Sequence, residues 1–313
     1  MPLSLPSRTS PPVRSARAHA AAFDGIWLPM ITPMRQGRVD LLAAQSLARY
    51  YRDAGLAGLV LFGSTGEGNL LSLPEKVEMV EAIRADPHAL PLVFGAGGVD
   101  TRGVAAMMRR LDKLEPVAWL IPAPYYLCPS QAGLLWHYRQ LAWATRKPVI
   151  LYNVPRRTGS ALTVESVEAL AQLPEITAIK ECDPTALAVL QGRRPLPVLC
   201  GEDLSLLDHL LAGGRGAIPA CAHVLPERYV ALFELVRTGA IAQARECFEA
   251  LRPLIRLLYN EPNPVGIKKA LALQGLVCDE LRAPLMTGSA ELAERLRRTL
   301  QGLQREPRLR PAA

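Results

Sequence analysis

Several common signatures are missing from this 313-residue sequence, and each absence excludes something. No apolar run is long enough to span a bilayer; the longest, 117–123 and 204–211, suit a buried strand and a core helix. No membrane partner is expected. Aromatic residues make up only 5% of the chain, and no basic helix is interleaved with them. The net charge of +7 therefore does not read as a nucleic-acid surface. Much of the excess sits at the ends, on Arg8, Arg14 and Arg17 in front and Arg305, Arg308 and Arg310 behind. The six cysteines (Cys128, Cys182, Cys200, Cys221, Cys247, Cys278) are scattered singly, without a CxxC pair, so neither a zinc ribbon nor dithiol chemistry is indicated. In a chain this long they read as buried free thiols in a reducing cytoplasm. The five histidines show no ligand spacing, and no metal or cofactor is expected. No Gly-Lys-Ser/Thr follows the glycines at 63–68, which excludes a phosphate P-loop. Gly95-Ala96-Gly97-Gly98 lacks the dinucleotide spacing. Residues 1–22 hold no continuous apolar stretch, so they do not read as a secretory signal. They are rich in Ser, Ala and Arg and free of acids, which fits a transit-type leader or a plain extension equally.

What is present is alternation. Half of the residues are apolar, enough for a large core. Short apolar runs fall at 26–31, 58–62, 92–95, 117–121, 149–152, 177–180, 198–200 and 216–219. Helical periodicity separates most of them, for example at 41–54, 75–83, 103–111, 131–144 and 164–173. Strand alternating with helix indicates a parallel sheet, and eight units in this span fit a closed (β/α)8 TIM barrel of the α/β class. Helix starts are punctuated by Ser72-Leu73-Pro74-Glu75 and Thr163-Val164-Glu165, and Gly213-Gly214 marks a stop. Segment 227–237 supplies the eighth helix. Further helical patterns follow at 240–259, 265–274 and 290–302. The expected organisation is a disordered tail (1–22), a catalytic barrel (23–238), a C-terminal helical extension (239–303) and a basic tail (304–313).

Barrel enzymes carry their chemistry where strands end and the following loops begin. Strand six ends in Ile179-Lys180-Glu181. An ammonium in a dry interior costs several kcal/mol unless it is paired or neutralised. Burial favours the free amine, which can attack a ketone. The alternatives are a lysine that snorkels to the barrel mouth or one paired with Glu181. Strand five ends in Tyr152-Asn153-Val154-Pro155, and a tyrosine there can shuttle protons, or simply pack with its hydroxyl satisfied. Arg156 and Arg157 follow; either offers a fork for a carboxylate, though adjacent loop arginines are commonly just solvated. Strand two ends in Gly63-Ser64-Thr65-Gly66-Glu67-Gly68, whose amides can form an anion nest or merely a tight turn.

Taken in order, these pieces resemble the dihydrodipicolinate synthase / N-acetylneuraminate lyase family of class I, Schiff-base aldolases. The resemblance spans about 25–300. It is carried by Pro29-Met30-Ile31-Thr32-Pro33, Gly63-Ser64-Thr65-Gly66-Glu67, Pro124-Tyr125-Tyr126, Tyr152-Asn153-Val154-Pro155, Arg157-Thr158-Gly159, Ile179-Lys180-Glu181, Gly201-Glu202-Asp203 and Glu261-Pro262-Asn263-Pro264. It implies that Lys180 forms the imine, that Tyr152 relays protons, and that Ser64 and Tyr126 are its hydrogen-bonded partners. Tyr126 would reach into a neighbouring subunit's site. Thr65 with Ser64 would cradle the pyruvate carboxylate, with Ile218 against the bound pyruvate and Gly201 beside the substrate. The implied assembly is a homo-oligomer, a dimer or a tetramer, with small molecules as its other partners.

Arg157, in the Tyr-Asn-Val-Pro-x-Arg-Thr-Gly context, matches an arginine that binds the carboxylate of L-aspartate 4-semialdehyde. The resemblance thus implies condensation of that aldehyde with pyruvate to 4-hydroxy-tetrahydrodipicolinate, a step of lysine biosynthesis. A keto-sugar-acid or 4-hydroxy-2-oxoglutarate aldolase is the alternative. A non-catalytic small-molecule-binding barrel is disfavoured by the presence of Lys180, Tyr152 and Thr65. Two departures from the family pattern lie near the pocket: Cys182-Asp183-Pro184 after the lysine, and Pro219 after Ile218. The segments 68–76 and 98–103, polar and acidic in lysine-regulated members, here hold Gly68, Asn69, Leu73, Val99 and Gly103, so insensitivity to lysine is expected.

Overall fold

Parallel strands buried on both faces must be closed or covered, and here they are both. The computed structural model describes residues 23–305. Within them, eight parallel strands close into a barrel: β1 (Gly25–Leu28), β4 (Gly58–Leu61), β5 (Leu92–Gly95), β6 (Ala118–Pro122), β7 (Val149–Asn153), β8 (Ile176–Glu181), β9 (Val198–Cys200) and β10 (Gly216–Ala217). β10 pairs with β1 to complete the ring. A small antiparallel hairpin, β2 (Met34–Arg35) with β3 (Arg38–Val39), follows β1 and was not anticipated. The α/β barrel read from the alternation is the observed fold.

Two expected strands end early. The first stops at Leu28 rather than Ile31, because Pro29 and Pro33 cannot donate to a ladder. Met30 N turns back to Leu28 O at 2.8 Å, and Ile31 N donates to His223 Nε2 at 2.9 Å. The last stops at Ala217, before Pro219, although Ile218 N still reaches Cys200 O at 2.8 Å.

Helices ring the barrel: α1 (Leu41–Asp53), α2 (Leu73–Arg84), α3 (Thr101–Leu111), α4 (Gln131–Ala144), α5 (Pro155–Thr158), α6 (Val164–Leu170), α7 (Pro184–Arg193), α8 (Leu206–Leu211) and α9 (Pro226–Arg237). Ser72 and Glu75 form a full capping box at the start of α2. α7 lacked a periodic signal and begins at one of the departures noted above. Asp183 caps it, accepting from Ala186 N at 2.9 Å, and Pro184 occupies the first turn, where its missing N–H does no harm. Cys182-Asp183-Pro184 is thus a helix start.

Strand alternation sorts the side chains into two sets. Trp27, Val60, Val93, Leu120, Ile150, Ala178, Leu199 and Ile218 fill the barrel. Leu59, Leu61, Phe94, Trp119, Leu151 and Ile179 face the helices. After α9 the chain adds α10 (Ile241–Leu258), α11 (Val265–Leu273) and α12 (Ala290–Arg305), which pack on one another. α12 runs past Gly302 into the stretch expected as tail, because Leu292, Leu296, Leu300 and Leu303 continue one buried stripe. The expectations for 1–22 and 306–313 lie outside the described residues. No helix among the described residues is long and apolar enough to cross a membrane.

Candidate active site

Parallel register brings the first two groups together. Tyr152 on β7 pairs with Lys180 on β8, so both side chains enter the barrel at one level. Lys180 is only 4% exposed, and its Nζ lies 4.6 Å from the centroid of the Tyr152 ring. Glu181, one residue on, faces the opposite way. Its carboxylate accepts from Asn153 Nδ2 and from Asp183 N, both at 2.8 Å, and burial pushes it up to about 7. Of the two alternatives for Lys180, pairing with Glu181 is thereby removed: no carboxylate pairs with Lys180 among the described residues. Snorkelling is removed by its burial.

The Tyr152 hydroxyl lies 3.4 Å from Ser64 Oγ. Burial raises this phenol above its ordinary value, and the neighbouring Lys180 charge and the Ser64 hydrogen bond pull it back. The two hydroxyls come from residues 88 positions apart in sequence, one in the loop after β4 and one on β7.

Ser64 sits in a loop wound so tightly that no side chain fits at Gly66 or Gly68. A Cβ on Gly68 would lie 1.9 Å from Phe62 O, and one on Gly66 would lie 2.7 Å from Met30 O. The anion-nest reading of this loop is only partly met. Glu67 N and Gly68 N are spent on Ser64 O and Gly63 O, at 3.2 Å each, closing the turn. Thr65 is buried, and its Oγ1 accepts from Asn263 Nδ2 at 2.9 Å. Arg157, on the short helix α5, donates from Nη2 to the Asn263 carbonyl at 3.2 Å. Ser64, Tyr152, Arg157, Tyr125 and Gly97 line one cavity of about 230 Å3 above the barrel. Lys180 and Thr65 are not among its lining residues; Lys180 packs against the ring of Tyr152, which is.

Gly201 and Ile218 lie in the barrel interior beside the Lys180 and Tyr152 side chains, off the cavity lining. A Cβ on Gly201 would approach Lys180 Cε to 2.7 Å and Cys182 Sγ to 2.5 Å, so the missing side chain is the space the lysine occupies. Ile218 is 1% exposed and packs in the interior layer with Tyr152 and Leu199. Tyr126 is different. It is 88% exposed, adopts a left-handed φ of 73°, and is hydrogen-bonded to neither Ser64 nor Tyr152 in the chain. Its neighbour Tyr125 lines the cavity instead.

Sequence reasoning missed several polar groups. Asn263, Asp203 and Glu67 were only parts of motifs, with no role assigned. Asp203, fully buried, accepts from Tyr259 OH (2.7 Å), Cys221 N (2.8 Å) and Ala220 N (3.1 Å), and so pins the ends of β9 and β10 to α10. Burial raises its carboxyl, and these bonds pull it back down. Glu67 pairs with Lys268, both side chains wholly buried, and accepts from Arg282 N at 2.8 Å. A buried ion pair encoded 201 positions apart leaves no local signal, although the bare presence of Lys268 in an apolar helix pattern could have raised suspicion.

The profile of the dihydrodipicolinate synthetase family matches residues 22–303. The chain belongs to this family. A 4-hydroxy-tetrahydrodipicolinate synthase 2 of Clostridium acetobutylicum is 34% identical over 284 residues, 89% of this chain and 99% of that protein. A 4-hydroxy-tetrahydrodipicolinate synthase of Archaeoglobus fulgidus is 33% identical over 289 residues, 90% of this chain and 99% of that protein. Among solved structures, the dihydrodipicolinate synthase of Thermotoga maritima superposes with a TM-score of 0.86 at 31% identity, covering 90% of this chain and 99% of that one. In this family member Ser64, Tyr152 and Arg157 line one cavity, Lys180 packs against the Tyr152 ring, and Thr65 is tied to Asn263.

Proposed function

We propose that this chain condenses pyruvate, held as an enamine on Lys180, with L-aspartate 4-semialdehyde to give 4-hydroxy-tetrahydrodipicolinate. The observation that carries it is the Lys180 amine, buried with no carboxylate paired to it among the described residues and lying against the ring of Tyr152, which lines the cavity. Lys180 adds to the pyruvate ketone, and loss of water leaves a protonated imine. The imine draws the electrons released when the methyl carbon gives up a proton, so no metal is required as the sink. The resulting enamine carbon bonds to the aldehyde carbon, and the aldehyde oxygen gains a proton. The substrate amine then attacks the imine carbon, freeing Lys180 and closing the ring.

The Tyr152–Ser64 pair shuttles these protons, its hydroxyls lying 3.4 Å apart and the tyrosine ring packing against the lysine. Thr65 and Ser64 hold the pyruvate carboxylate, Ile218 and Gly201 shape its floor, and Arg157 takes the carboxylate of the aldehyde partner. The exposed Tyr126 supports a homo-oligomer, dimer or tetramer, in which this side chain completes the relay of a neighbouring subunit. The single thiols and the biosynthetic reaction support a cytoplasmic location. The test is a panel of aldehydes offered with pyruvate. Aspartate semialdehyde should turn over fastest, and preferred turnover of a sugar-derived or oxoacid aldehyde would replace the substrate assignment.

A further inference from the structure

We infer that Asn263 is a positioning residue that fixes the hydrogen-bond polarity of the proposed carboxylate-binding groups, Thr65 and Arg157. This rests on the roles proposed above for Thr65 and Arg157. Asn263 comes from the segment between α10 and α11, yet it holds both groups at once. Its Nδ2 donates to Thr65 Oγ1 at 2.9 Å, and its main-chain carbonyl accepts from Arg157 Nη2 at 3.2 Å. The partners lie 198 and 106 positions away in sequence. Asn263 is 9% exposed, which restricts its amide to these neighbours.

The consequence follows from what a hydroxyl can do. A threonine hydroxyl has one proton and two lone pairs. With a lone pair taken by the Asn263 amide, its proton remains free to donate, and it donates to no group among the described residues. A carboxylate only accepts. Thr65 is therefore preset as a donor to an anionic substrate. The Asn263 carbonyl likewise holds one edge of the Arg157 guanidinium and leaves the rest of the fork for the second carboxylate. One more feature marks the residue: Asn263 Oδ1 is buried without a hydrogen-bond partner. Such an open acceptor in a native interior points to a ligand or water that completes it.

The test is a double-mutant cycle with steady-state kinetics. Asn263→Ala should raise the KM for pyruvate about tenfold, the size of one hydrogen bond to a charged group, and leave kcat little changed. Thr65→Val should do the same, and the double variant should be no worse than Thr65→Val alone. Asn263→Asp keeps the shape and can only accept, so it should raise KM at least as far; this variant decides the matter if the alanine variant folds poorly. Additive losses in the cycle, an unchanged KM in Asn263→Asp, or a loss confined to kcat would each overturn the inference. Borohydride trapping of the wild type with pyruvate separates the two levels. A wild type that traps, beside variants with unchanged KM, overturns the role of Asn263 alone; a wild type that does not trap overturns both.

Discussion

The interior of the barrel and the seam where its mouth meets the C-terminal helices are built on opposite principles. The interior is dry and apolar, with Leu199, Ile218, Ile150 and Ala178 stacked under one lysine and one tyrosine. The seam is polar and cross-linked: Glu67 to Lys268, Thr65 and Arg157 to Asn263, Asp203 to Tyr259, and Glu75 to Arg282. The comparison separates two tasks. The interior supplies a nucleophile without a counter-ion, and the seam holds the loops that must meet it. A buried pair contributes little net stability but is strongly disruptive when halved, so it suits a part that must adopt one position only.

The comparison can be broken at several points. Tyr152→Phe removes the proton relay and leaves the interior packing. It should lower kcat by about 10²- to 10⁴-fold with an unchanged urea midpoint. A loss of less than about tenfold, below the usual range for a positioned acid–base group, would move the relay elsewhere. Lys268→Met strands Glu67 in the seam and should destabilise the fold by about 3–5 kcal/mol in urea unfolding. An effect below about 1 kcal/mol, the level of a solvated surface pair, would show that the seam does not act as a buried clamp.

Glu181 tests the wall between the regions. Its folded pKa, about 7, lies above its ordinary 4.5, so the native state holds the proton more tightly. Its contribution is present below pH 4.5 and is lost as pH rises through 7. Glu181→Gln should therefore gain stability relative to the wild type between pH 5 and pH 8, by on the order of 2 kcal/mol. Equal stability differences at both pH values would contradict the burial of that carboxyl. The smallest expected effect is none at all. Millimolar lysine should leave turnover unchanged, because the side chains at Gly68, Asn69, Leu73, Val99 and Gly103 offer no charge, and only Asn69 offers a hydrogen bond, to an amino acid. Clear inhibition would assign those segments a regulatory role.

Legibility followed the same division. The barrel could be read because buried parallel strands are continuous apolar runs, and Lys180 stood out because it interrupts one. Tyr152 and Ser64 were legible from their places at strand ends. The seam was not. Asn263 and Lys268 act on partners 106 to 201 positions distant, and Asp203 reaches Tyr259 56 positions away; no local period encodes such pairs. The early ends of β1 and β10 were readable in principle from Pro29, Pro33 and Pro219. α7 was obscured by Pro184, which looks like a breaker and serves as a first-turn residue. Tyr126 was placed by resemblance alone, and within one chain it stands in solvent.

The central claim is that the buried Lys180 amine is the nucleophile. Incubation with pyruvate, reduction with borohydride and peptide mass spectrometry test it directly. The structure predicts a stable adduct confined to Lys180 and absent from Lys180→Ala. No adduct, or one on Lys76, Lys268 or another lysine, would contradict it.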